Sequence, residues 1–200
     1  MVSQRAEKMG ERAGFAGFVD SLRFHEVSRQ GIGLLLLLVC GFFTEAAGEN
    51  RIYAGFVLAA AGQIWRIYAA GVIYKNKQLA TTGAYSLVRH PLYLGNFAIL
   101  IGFTIACANW MVAPLVVFFF WFYYPAAIKY EDTKLERIFA DEWRQWSAKT
   151  PAMFPARLAW KANADAEWNA RQSLLRNGEL IITVYLLICA LVLLYRAGML

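Results

Sequence analysis

Residues 81–96 read TTGAYSLVRHPLYLGN, and this stretch decides how the chain is organised. Gly83 permits a sharp turn. The Arg89-His90 pair precedes Pro91, which suits the first turn of a helix because its missing N–H would be unpaired there anyway. An almost uninterrupted apolar run follows to residue 108. Charged and ring side chains at the start of a membrane helix are costly unless they are used. The free N–H groups and dipole of such a helix start favour a nearby anion, and Arg89 and His90 reinforce that field. Tyr85 and Tyr93 add rings for stacking and hydroxyls for hydrogen bonds. An interfacial belt of anchoring side chains is the competing reading of the same residues.

Working outward, the chain of 200 residues is 59% hydrophobic and 17% charged. Globular domains are nearer half apolar and a quarter charged. The excess lies in runs long enough to span a bilayer, so the expected fold class is an all-α integral membrane protein with about five transmembrane helices. These are placed at 31–47, 53–74, 91–108, 110–128 and 180–195. The short connections at Gly48-Glu49-Asn50-Arg51 and around Asn109 force antiparallel hairpins. Both long connections, 75–90 and 129–179, then share the opposite side with residues 1–30, which are read as a cytoplasmic or interfacial segment. Most Lys and Arg lie on that side, which the positive-inside rule assigns to the cytoplasm. The lead before the first apolar run is too long and polar for an ordinary signal peptide.

The net charge of +6 therefore points to anionic lipid headgroups and not to nucleic acid. Cys40, Cys107 and Cys189 all sit inside apolar runs and read as small buried hydrophobes. With only His25 and His90, no metal site is expected. Phe15, Phe18, Val19 and Leu22 recur at helical spacing, as do Trp160, Ala164 and Trp168; both stripes suit interfacial anchoring.

A second polar cluster follows the fourth apolar run. Glu131, Asp132 and Glu136 lie on the continuation of that helix, and a carboxylate near Arg89 or His90 would suit ribose hydroxyls or an ammonium group. A solvated acidic helix start is the alternative. Arg66, beside Gln63 and Trp65 in the second run, either faces the bundle interior or snorkels to the nearby interface.

Taken together, QIWRIYA (63–69), LATTGAYSLVRHPLYLGN (79–96) and YEDTKLERIFADEWRQWSAKTPAMFP (130–155) resemble the isoprenylcysteine carboxyl methyltransferase family and its phospholipid methyltransferase relatives. The resemblance covers about 62–155. It implies a membrane domain over 31–200, with an additional helix at 180–195, and a cytoplasm-facing pocket for S-adenosylmethionine formed by loops and the C-terminal helical region. The acceptor would be a lipophilic small molecule or membrane lipid. By this resemblance Leu79, Ala80 and Tyr85 match loop positions lining the cofactor, and His90, Pro91, Leu92 and Tyr93 match the helix entrance. Glu131 matches a cofactor-contacting glutamate, with Asp132 as the second acid. Lys77 stands where prenylcysteine enzymes tend to have histidine.

Arg89 and His90 are expected at the cofactor carboxylate, and Arg66, His90 and Glu131 bear most directly on catalysis. Ala127 stands where the prenylcysteine enzymes hold a substrate carboxylate with arginine, which favours an amine, thiol or other polar lipid head as acceptor. An NADPH-dependent membrane reductase of the sterol-reductase type is the alternative; Leu92 and Glu131 both depart from it.

Overall fold

The computed structural model describes residues 26–45, 48–74, 77–156 and 168–200. Among the described residues five helices carry the fold: α1 (Glu26–Phe42), α2 (Glu49–Val72), α3 (Pro91–Cys107), α4 (Val112–Ser147) and α5 (Glu179–Arg196). A single helical turn, Ala84–Leu87, precedes α3, and a π-helical turn, Gln172–Arg176, precedes α5. No strand occurs among the described residues. Three helices, α2, α4 and α5, are long and apolar enough to cross a membrane, and the apolar parts of α1 and α3 are shorter. The amphipathic stripe at residues 15–22 and both Trp160 and Ala164 lie outside the described residues.

Around the first short connection, helix boundaries depart from the sequence reading in two places. The first helix ends at Phe42 and not at 47; beyond it the Thr44 hydroxyl donates back to the Cys40 carbonyl. The polar residues 49–51, expected as a connection, form the first turn of α2. Glu49 there lies at the positive end of the helix dipole, and Arg51 Nε donates to the Ile105 carbonyl near the end of α3. Two more bonds close this end of the bundle: Glu45 N to Cys107 O, and Asn109 Nδ2 to Phe43 O. Both short connections therefore sit together, as antiparallel hairpins require.

Helices α2 and α3 pack most closely. Two glycine pairs, Gly55 with Gly102 and Gly62 with Gly95, face each other in antiparallel register. A Cβ on Gly102 would stand 2.5 Å from the Gly55 carbonyl oxygen and 2.7 Å from the Ala59 nitrogen. Apolar side chains gain little by leaving lipid for one another. Backbone approach through small residues is then what holds such helices together.

Up to the break at Ala140, residues 112–139 of α4 run about 42 Å at 1.5 Å per residue, beyond a hydrocarbon core of about 30 Å. Its first half is apolar and its charged second half projects past the bundle. Pro125 lies near the change of character, and Ala140 breaks the helical dihedrals at φ 44°, ψ −113°. The opposite end of α2 is capped by the segment leading into α5. Trp168 Nε1 and Ser173 Oγ donate to the Ile67 carbonyl, Asn177 Nδ2 to Ala70, and Gln172 Nε2 to Ile73. The bonds to Ala70 and Ile73 satisfy carbonyls that a helix end leaves open. Trp168 thus seats against α2.

Substituting Gly102 by Ala places a methyl group against backbone that cannot swing aside. Overpacking of this kind should cost about 1–3 kcal/mol, read as a lowered thermal midpoint of the protein in detergent, whereas Ala at the open position Gly31 should change little.

Candidate functional site: a cavity at the helix-capping end

Arg89 and His90 emerge from the helical turn Ala84–Leu87, whose own start is bent by Gly83 at φ 58°. Their backbone N–H groups donate to Pro151 and Ala152 carbonyls at 2.8 and 2.9 Å. This fastens the α3 doorway to the chain leaving α4. Pro91 then occupies the first helical position with His90 as its cap.

The two side chains meet the acids of α4. Arg89 makes a two-pronged contact with Asp132, Nη2 to Oδ2 at 2.8 Å and Nε to Oδ1 at 3.3 Å. Its Nη1 reaches the Thr150 and Ser147 carbonyls, and Trp143 lies 6.0 Å from the guanidinium. His90 stands between two carboxylates, Nε2 3.0 Å from Asp132 and Nδ1 3.4 Å from Glu131. A neutral imidazole could donate from one nitrogen only, so this geometry suits the imidazolium. Tyr93 stacks on the ring at 5.3 Å and presents its π face to that charge. Burial pushes the His90 pKa down, but the bonds to Asp132 and Glu131 outweigh it and the net shift is upward.

These groups line a cavity of about 650 Å³, within the range of ligand pockets. Arg66, Leu79, Ala80, Tyr85, Arg89, His90, Pro91, Leu92, Tyr93 and Glu131 all reach it. Lys77 is the sequence candidate that does not; it is exposed, beyond the end of α2. Arg89 reaches the wall, but its charge is turned to Asp132. Two buried polar atoms of the lining, Tyr85 Oη and Trp146 Nε1, have no hydrogen-bond partner within the described protein. Burial, then the charge of Glu131, pushes the Tyr85 hydroxyl far above its ordinary pKa and keeps it a donor. Orphaned buried donors in a cavity wall mark where a polar ligand would be satisfied. The residues present therefore fit a polar, nucleoside-sized group.

Arg66 faces the bundle interior. Its Nη2 and Nε bind Glu179 at 2.7 and 3.1 Å. Its Nη1 binds the Asn96 side chain and, at 3.4 Å, the Leu92 carbonyl. Gln63 Nε2 completes the cluster, 3.2 Å from Glu179. Sequence reasoning missed Glu179, Asn96 and Trp146. The isolated acid opening the last apolar helix was a signal for the first, because an intramembrane arginine needs such a partner. Nothing along the chain marks the distant Trp146 as a cavity residue.

Beyond this polar middle the cavity turns apolar, with Leu34 and Leu37 of α1, Ile99 and Leu100 of α3, Phe119 of α4 and Ile182 and Leu186 of α5. One cavity in this helical membrane protein is thus lined by charged and ring side chains and by apolar ones.

The sequence comparisons fit that class. Residues 50–137 match the profile of the isoprenylcysteine carboxyl methyltransferase family, whose members use S-adenosylmethionine. The chain is 30% identical over 144 residues to Protein-S-isoprenylcysteine O-methyltransferase of Schizosaccharomyces pombe, covering 70% of this chain and 58% of that protein. It is 37% identical over 102 residues to Nickel-cobalt-cadmium resistance protein NccN of Alcaligenes xylosoxydans xylosoxydans and, to the same extent, to Cobalt-zinc-cadmium resistance protein CzcN of Cupriavidus metallidurans. Each of these matches covers 50% of this chain and 46% of the relative. The chain thus spans about half the length of the curated relatives it matches. No solved structure is significantly similar. Nothing in these matches supports the reductase alternative. Among the described residues, no three His, Cys, Asp or Glu side chains gather in a way that could hold a metal ion.

Because His90 is raised above its ordinary value of about 6.5, its contribution to stability is fully present below that pH and is lost as pH rises through the raised value. The denaturation midpoint should fall on the alkaline side in the native protein. His90→Gln should lower the acid-side midpoint and flatten that dependence. Asp132→Asn, which strips both Arg89 and His90, should cost about 2–3 kcal/mol at neutral pH.

Proposed function

We propose that the protein is an S-adenosylmethionine-dependent methyltransferase acting on a lipophilic, membrane-borne acceptor, with 31–200 as its membrane domain and the cavity mouth in the cytoplasm. The observation that carries this reading is the cavity itself, in which Tyr85 Oη and Trp146 Nε1 lack partners at one end and the walls turn apolar at the other. Bound there, S-adenosylmethionine would supply a sulfonium-borne methyl group to an acceptor lone pair, with the carbon–sulfur electron pair returning to sulfur. The protein need not protonate the departing neutral thioether.

The work left to the chain is holding and aligning two partners, which accounts for a large part of many rate enhancements. Glu131, only partly buried and beside His90, would take the cofactor's ammonium or ribose hydroxyls. Tyr85 and Trp146 would donate to its polar edge, with Leu79, Ala80, Pro91 and Leu92 against its base. His90 keeps Glu131 and Asp132 apart and oriented. Arg89 holds the chain just beyond Trp146, which lines the cavity, so its part is positioning. The apolar end excludes water from the transfer point and admits the acceptor from the bilayer. Clustering of Lys and Arg on the side of the long connections supports the cytoplasmic orientation.

Calorimetry on the detergent-purified protein tests the reading. S-adenosylmethionine and its demethylated product should bind and NADPH should not. Glu131→Gln should weaken the first two at least tenfold, and Tyr85→Phe about five- to tenfold, the worth of one hydrogen bond of about 1 kcal/mol. Binding of NADPH alone by the folded protein would move the chain to the reductases.

A further inference from the structure

The buried pair of Arg66 and Glu179 has a role in the cavity besides tying α5 to α2. Arg66, Asn96 and Glu179 all line the wall at the change from polar to apolar. Ile99 lies one turn beyond Asn96 on α3 and Ile182 one turn beyond Glu179 on α5, and both line the apolar interior. A polar head on a lipid tail lying in that interior would meet this cluster. Of the other basic groups on the wall, Arg89 is held by Asp132 and His90 by both acids. Lys134 lies about two turns farther along the projecting half of α4 than Ala127. Ala127 itself is buried in the wall and offers no side-chain donor. Arg66 is thus the cation closest to where the acceptor's head would rest.

That cation is already neutralised. Both Glu179 oxygens bind the guanidinium, at 2.7 and 3.1 Å, and the remaining face is taken by Asn96 and Leu92. The Glu179 side chain is 1% exposed, so water does not compete for it. A second carboxylate would have to displace Glu179 and leave it buried without its counter-ion, a loss worth several kcal/mol when one partner of a buried pair is stranded. An ammonium head would find the same carboxylate occupied.

We infer that Glu179 is a specificity-determining residue: by sequestering Arg66 it restricts the acceptor to lipids whose reacting head is uncharged when bound, and it rejects carboxylates. The inference rests on the methyltransferase reading only in calling this ligand the acceptor, and it is tested by binding without cofactor. The probes are S-farnesyl-thioacetic acid, ionised at pH 8, its primary amide, and the corresponding S-farnesyl cysteamine in its ammonium form at pH 6. Each is titrated into the detergent-purified full chain and followed by intrinsic tryptophan fluorescence.

The native protein should bind the amide at least tenfold more tightly than either charged probe. Glu179→Gln, with a cooperative thermal transition retained, should gain about tenfold for the carboxylate, and adding Arg66→Met should abolish that gain. A purely structural clamp would weaken all probes alike and would produce no such reversal. Equal affinity of the native protein for amide and carboxylate, or no binding of the amide, overturns the inference without recourse to any variant. Titrating S-adenosylmethionine into the same preparations separates the two conclusions. Its failure to bind alongside a sound amide preference removes the methyltransferase reading alone.

Discussion

The cavity end of the molecule depends on one arrangement of charge, in which Asp132 is shared between Arg89 and His90 while Glu131 faces the other side of the imidazole. These four side chains come from two places about forty residues apart, the doorway of α3 and the projecting half of α4. Their attraction fixes how α4 leaves the bundle, and therefore where the wall of the cavity stands. Arg89 extends the same control to the chain after α4 through the carbonyls of Ser147 and Thr150. The charged half of α4 is thereby held against the rest of the molecule.

A second constraint works within the bilayer. Between α2 and α3 the glycine pairs bring backbone to backbone, and Gly95 leaves room for the Arg66 stem, whose Cγ would stand 2.4 Å from a Cβ added there. Close packing and the buried ion pair are thus linked, because the guanidinium reaches Glu179 and Asn96 only where α3 has no side chain in its path. The last helix, outside the segment that matches the family profile, is bound to the core by that ion pair and by the capping bonds from 168–177. It supplies both a buried carboxylate and part of the apolar wall, so the cavity of this chain is not that of the shared segment alone.

Much of this was legible along the chain. Apolar runs of bilayer length announced the helices, because lipid leaves backbone groups no other way to be satisfied. Pro91 marked the start of α3, and the residues around it stood out because charge and rings at a bilayer edge are costly. Boundaries were less legible where polar residues can serve either a turn or a first helical turn, as at Glu49-Asn50-Arg51. Lys77 stands outside the cavity lining: a motif position says which residue is in register with a family, not whether its side chain reaches a cavity.

By itself, then, the sequence determined the helical membrane class, the antiparallel hairpins and the identity of the doorway residues that line the cavity, since all of these follow from local patterns of polarity and length. Only the tertiary structure decided how the charges are matched. An arginine in an apolar run must find a counter-ion, but one hundred and more residues separate Arg66 from Glu179, and no local rule selects the partner. Nor does sequence say that Arg89 faces Asp132 while His90 lies between two acids. Pairing is a property of distance in three dimensions, and in a medium of low dielectric it is distance that decides which charges remain available to a ligand.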